Sequence, residues 1–213
     1  MKTKKMNKKS TYSTSKVAKV LMLPLLMVFL SQCELYELPE AEPYIGEFDM
    51  TMMEWLPTHV HADGSNDFTM LIEALEITGL DELLASESVE YTLFAPGNIS
   101  WKLFLRDHDY ETMQDVPVDE LRDILLYNMM DGKHLRQDFT VNAEQYPTKL
   151  ADHFLTISYV DFNASGRYYD MVVNTRKVAT QNIQFTNGVI HAYAVTGMQV
   201  GSAGEGAVQL IIP

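Results

Sequence analysis

One cysteine, Cys33, is all that 213 residues offer for covalent bracing. No intrachain disulfide is open to the chain, so a hydrophobic core must close the fold alone. The cysteine stands directly behind an apolar run, Val20-Leu-Met-Leu-Pro-Leu-Leu-Met-Val-Phe-Leu30. Ahead of that run lie Lys2, Lys4, Lys5, Lys8, Lys9, Lys16 and Lys19, with no acidic residue among them. A positive flank, a short greasy centre and a small residue before a break are the parts of an export signal. The run is too short to cross a hydrocarbon layer of about 30 Å as a helix. Residues 1–32 are therefore expected to be a signal peptide and not a lasting span.

Leu30-Ser31-Gln32-Cys33 resembles a bacterial lipobox, with Gln32 where Gly or Ala is usual. The resemblance implies that Cys33 becomes the lipid-bearing first residue of the mature protein. It also implies a place in the bacterial cell envelope, and the acidic residues soon after Cys33 resemble signals that send some bacterial lipoproteins to the outer face of the outer membrane. Residues 33–50 are rich in Glu, contain Pro39 and Pro43, and keep no helical or strand period. They are expected to be a tether. Removing residues 1–32 takes seven of the 16 basic residues and no acid, leaving nine against 29, a net charge of −20. Such a surface repels phosphate backbones and anionic headgroups alike. Nucleic acid is not an expected partner, and membrane attachment has to come through lipid.

Residues 51–213 read as one globular domain. Thr51-Met-Met-Glu-Trp-Leu56 is a short helix candidate. Apolar residues at 68, 71, 72 and 75 mark one face of a second helix, with Asp67 as its cap and Gly79 as its end. Leu80 to Leu84 form a further turn. Tyr91-Thr-Leu-Phe-Ala95 predicts a buried strand broken by Pro96-Gly97, after which Asn98 is expected to cap a helix carrying Trp101, Phe104 and Leu105. A third long helix is predicted over 118–130. The later chain changes character: 155–160, 169–173 and 189–195 favour β-branched and aromatic residues between Asn and Gly turns. Helices early and strands late predict the α+β class.

Three stretches together resemble the fasciclin domain. Tyr91-Thr-Leu-Phe-Ala-Pro-Gly-Asn98 is similar to its first signature, Leu121-Arg-Asp-Ile-Leu-Leu-Tyr-Asn-Met-Met130 to its central helix, and Thr186-Asn-Gly-Val-Ile-His191 to its second signature. The resemblance spans about 51–199. It implies a β-sheet wedge flanked by several short helices, no catalysis, and adhesion to an envelope protein or matrix polymer. Phe94, Ala95, Pro96, Asn98, Tyr127, Asn187, Gly188 and His191 are the signature residues, with structural roles expected. Asn128 stands where animal relatives carry the histidine of a Tyr-His pair credited with receptor binding, so that adhesive motif is not carried over intact. Gly97, Ser100, Trp101 and Ala194 also depart from the family pattern.

Read on their own residues, Asn187-Gly188 is a turn dipeptide, since both tolerate positive φ. His191, among apolar neighbours, predicts a buried imidazole bonded to backbone and holding the turn against Phe94-Ala95-Pro96. His59-Val-His61-Ala-Asp63 would set two imidazoles on one side of an extended segment. No spacing links a further ligand to them, so the string reads as a solvated loop and no metal is expected. No nucleophile elbow, P-loop or dinucleotide motif is present, which predicts neither enzyme activity nor a cofactor. Tyr159, Phe162, Tyr168 and Tyr169 flank Asn163-Ala-Ser-Gly166, a hairpin tip. Such aromatics either pack an edge or stack on sugar rings. The second choice implies a glycan partner, and a glycan-binding accessory lipoprotein of a nutrient-uptake complex is the alternative function.

Overall fold

The computed structural model describes residues 46–160, 170–193 and 212–213. It holds five α-helices in those residues: α1 (Met52–Trp55), α2 (Thr69–Thr78), α3 (Asp81–Ala85), α4 (Asn98–Asp107) and α5 (Val118–Tyr127). The strands are β1 (Gly46–Glu47), β2 (Tyr91–Ala95), β3 (Met129–Asp131), β4 (Glu144–Pro147), β5 (Phe154–Val160), β6 (Asp170–Val173), β7 (Arg176–Phe185) and β8 (Gly188–Tyr193). They form one eight-stranded sheet in the order β3-β2-β8-β7-β6-β5-β4, with β1 added beside β7. The α+β class and the single wedge-shaped sheet flanked by helices are as expected.

Beside the edge strand β3 lies the parallel pair β2 and β8, in which Leu93 faces Ile190 and Phe94 faces His191. Every residue of both strands is buried, which explains why both read as near-continuous apolar runs. Side chains alternate between two cores. Leu93, Ala95, Ile190 and Ala192 join Leu71, Leu75, Trp101, Leu121 and Leu125 from the helices. Phe94 and Tyr193 join Tyr127, Met130, Phe139 and the β5–β6 residues Leu155, Ile157, Met171 and Val173.

The caps fall partly elsewhere than expected. Thr51 caps α1 in a reciprocal box with Glu54, and Gly79 ends α2 in the left-handed region at φ 68°. Asp67 does not cap α2. The Met70 N–H donates to Oδ1 of Asn98 at 2.9 Å, and the Phe68 N–H to Oδ1 of Asn66 at 2.7 Å. Asn98 in turn gives its own helix no side-chain cap, since Gly97 holds the N-cap position of α4. Its amide donates to Asn66 O and Thr69 Oγ1, so Asn98 ties the start of α4 to the start of α2. The helix predicted over 118–130 stops at Tyr127. Asn128 ends it, and Met129 and Met130 enter β3 beside Leu93 and Thr92.

Residues 46–50, expected to belong to the tether, are part of the fold. Gly46 and Glu47 pair with Ile183 and Gln184 of β7, Phe48 stacks on Phe185 at 5.6 Å, and Met50 O accepts the Thr186 N–H. Three further strands, β3, β4 and β7, were not foreseen, and β7 lies in the middle of the sheet order. Its pairing with β8 shifts register between Val178 and Ile183, and Asn182 sits in that irregularity with φ 58°.

Candidate functional site

β2 leaves the sheet at Ala95, and the buried Pro96 and Gly97 turn the chain into α4. Beside it, the His191 ring lies against Phe94 with centroids 5.4 Å apart and an interplanar angle of 23°. Its Nδ1 accepts the N–H of Asn182 at 3.3 Å. That fixes the proton on Nε2, which donates to the carbonyl of His134 at 2.9 Å. His191 is fully buried and bonded to backbone, as expected, but through the β7 bulge and the segment after β3 and not through the hairpin turn. Both ring nitrogens are engaged in hydrogen bonds to backbone, so neither is free to hold a ligand. Sequence reasoning passed over both partners: Asn182 is hidden in an irregular strand, and His134 contributes only its carbonyl.

Burial pushes the His191 imidazole down to about 4. A folded value below the unfolded one, near 6.5, means that the unfolded chain takes up the extra proton. The stabilisation is therefore complete above pH 6.5 and is lost as pH falls towards 4. A shift of that size is worth about 3 kcal/mol. Urea unfolding at steps from pH 7 to 4 is expected to show this loss, with a shallower pH slope in His191→Gln. Equal slopes for the two proteins would contradict the assignment.

Thr186 and Asn187 form the β7–β8 turn, with Phe185 opposite Gly188. Asn187 is not among the described residues with positive φ, whereas Gly188 is, at 141°. The Asn187 side chain is buried and works as a knot. Its Oδ1 accepts the Met52 N–H at 2.9 Å, and its Nδ2 donates to the carbonyls of Leu84 and Ser86.

A second constellation lies on the surface. His59, at the end of the 3-10 turn Leu56–Thr58, packs against both Trp55 and Phe68 with centroids 4.9 and 5.4 Å away. Desolvation, then His61, holds its imidazole below the ordinary value against the pull of Asp67. The chain folds back after it. Val60 bridges Asn66, and the His61 N–H donates to Ser65 O at 2.8 Å. Asp63 accepts from the Ser65 N–H and hydroxyl, so it faces into its own loop. Asp67 comes round instead, its Oδ2 2.7 Å from Nε2 of His61. One ligand atom from each of His59, His61 and Asp67 lies within 4.8 Å of the others. The string His59-Val-His61-Ala-Asp63, read as a solvated loop, thus brings its two histidines to Asp67 and not to Asp63. The signal for it was Asp63-Gly64, a turn dipeptide that sends the chain back towards the histidines.

The family model for the fasciclin domain matches residues 66–193, most of the described structure. The chain belongs to the fasciclin domain family. Among solved structures it is similar to a FAS1 domain pair from the insect cell adhesion molecule fasciclin I, with 18% identity and a TM-score of 0.51. That likeness covers 71% of this chain and 50% of the other. The chain spans half the length of that domain pair, and the likeness is one of fold.

Within this fasciclin domain the Tyr127-Asn128 pair is an internal brace. The Tyr127 hydroxyl donates to Phe154 O at 3.2 Å and takes the Asn174 amide at 3.2 Å. Asn128 is fully buried; its amide donates to Ile124 O at 2.9 Å and its Oδ1 accepts the Tyr193 hydroxyl at 3.1 Å. Tyr159 is half-buried, its hydroxyl donating to Arg136 O and its ring lying under the Arg136 guanidinium at 5.2 Å. Burial raises the Tyr159 phenol to about 12. The hairpin that it was expected to belong to exists, since β5 pairs with β6. Phe162, Tyr168 and Tyr169 lie outside the described residues, as does Cys33.

Proposed function

We propose that this protein is a lipid-anchored bacterial envelope protein that presents a non-catalytic fasciclin domain for adhesion or protein/matrix interaction. The observation that carries this reading is membership of a fasciclin family that includes an insect cell adhesion molecule. The lysine-rich segment, the apolar run and Cys33 support the anchoring. The use of the signature side chains supports the absence of chemistry. His191, Asn187 and Tyr127 spend their polar atoms on internal hydrogen bonds, and a reacting group needs at least one of them free.

Two measurements test the two halves. Growth with a labelled fatty acid is expected to label the protein, and Cys33→Ser to abolish the label and release the domain from the membrane fraction. A wild-type protein that takes up no label would end the anchoring proposal. Cells carrying Cys33→Ser, or no copy of the gene, are expected to attach less well to surfaces and to one another. Unchanged attachment would end the adhesive one.

A further inference from the structure

We infer that His59, His61 and Asp67 form a binding site for a divalent transition-metal ion of the zinc class, on the loop that leads into α2. The inference stands apart from the adhesive reading and from the signature residues. Two imidazoles and one carboxylate are a borderline-soft donor set, suited to Zn2+, Ni2+ or Co2+ and poorly matched to Ca2+ or Mg2+, which take oxygen ligands. Three protein ligands leave a fourth, solvent-facing position for water or a donor atom from a partner.

The geometry is close to what such an ion needs. Bonds of about 2.0–2.2 Å in a tetrahedron set neighbouring ligand atoms a little over 3 Å apart. The three atoms already lie within 4.8 Å of one another. His61 and Asp67 are part-exposed, with side-chain exposures of 47% and 32%, so small rotations bring them together and the way in from solvent is open. The scaffold behind them is fixed. His59 packs against both the Trp55 and the Phe68 rings. The Val60–Asn66 bridge sets the loop, and Asn66 anchors its base by donating to Leu56 O at 2.8 Å. The aromatic wall on one side lowers the local dielectric, which strengthens binding to a cation.

A plain surface ion pair between His61 and Asp67 would account for their contact. It does not account for His59, whose ring stands 5.5 Å from that of His61, edge to face. Two imidazoles turned to one carboxylate are what a cation would organise. The strongly acidic protein around them raises the local concentration of any cation.

The test is calorimetric titration of the detergent-solubilised full chain with ZnCl2. One ion per chain is expected. His61→Ala and Asp67→Asn are each expected to weaken binding by at least about tenfold, while His153→Ala, another exposed histidine, leaves it unchanged. Thermal unfolding without zinc checks that the variants fold, and their midpoints are expected to match the wild type. Zinc is expected to raise the midpoint of the wild type and His153→Ala alone. Failure of the wild-type chain to bind zinc would overturn the site. So would equal binding by folded His61→Ala, one ion shared by two chains, or equal competition by CaCl2.

Discussion

Gly188→Ala is expected to cost at least about 4 kcal/mol, a large part of the 5–15 kcal/mol that holds a typical domain together. A Cβ at this position would stand 1.9 Å from the carbonyl oxygen of Tyr91, 2.8 Å from its nitrogen and 2.9 Å from its carbonyl carbon. All three are backbone atoms, so no side-chain rotation relieves the clash. The only relief is to part β2 from β8 at Tyr91–Gly188, where their parallel pairing begins. That would also stretch the bond from the Tyr91 N–H to Asn187 O, now 3.1 Å. A backbone φ of 141° adds strain for any residue with a side chain. Gly64→Ala is the comparison: φ is positive there too, at 82°, but a Cβ would meet nothing within 4 Å. It is expected to lose only about 1 kcal/mol. Urea unfolding of the two variants separates strain from collision, and equal losses would show that β2 and β8 do not approach this closely.

The glycine shows how far sequence could go. Asn187-Gly188 was readable as a turn, but the demand for glycine comes from a strand almost a hundred residues earlier. Strands buried on one or both faces, β2, β5, β6 and β8, declared themselves through β-branched and aromatic runs. β7 did not, because its register shift breaks any alternation and leaves exposed Ala179 and Thr180 in mid-strand. β3 was concealed differently. Met129 and Met130 continue the apolar period of α5, so nothing local marks the reversal at Asn128. β4 is an exposed edge strand ending in Pro147, too polar to stand out.

The sites were legible in residue type and less so in partnership. His191 was recognisable as a buried, backbone-bonded imidazole, yet its partners are fixed by the bulge at Asn182 and the segment at His134. Asp67 was a reasonable cap for α2 on local grounds. Asn98, remote in sequence, took that role and left the Asp67 carboxylate for His61. Local rules describe what a side chain can do, and the packing of α2 against α4 decided which of two Asx residues did it.

Asn187→Ala is expected to lose about 3–5 kcal/mol, because the change strands groups that nothing else can satisfy. The Met52 N–H loses its acceptor, and the Leu84 carbonyl its side-chain donor. Met52 and Leu84 are both fully buried, and each unmet group costs about 1–3 kcal/mol. Asn187→Asp sharpens the test. Its carboxylate still accepts from Met52, but its second oxygen then faces the carbonyls of Leu84 and Ser86. A buried charge set against two carbonyl oxygens is expected to make this variant at least as unstable as the alanine at pH 7. Protonation turns that oxygen into a donor, so as pH falls its deficit relative to wild type should shrink while the alanine's stays constant. Parallel pH profiles for the two variants in urea would mean that Asn187 fills space at the turn and does not knot α1 and α3 to the sheet.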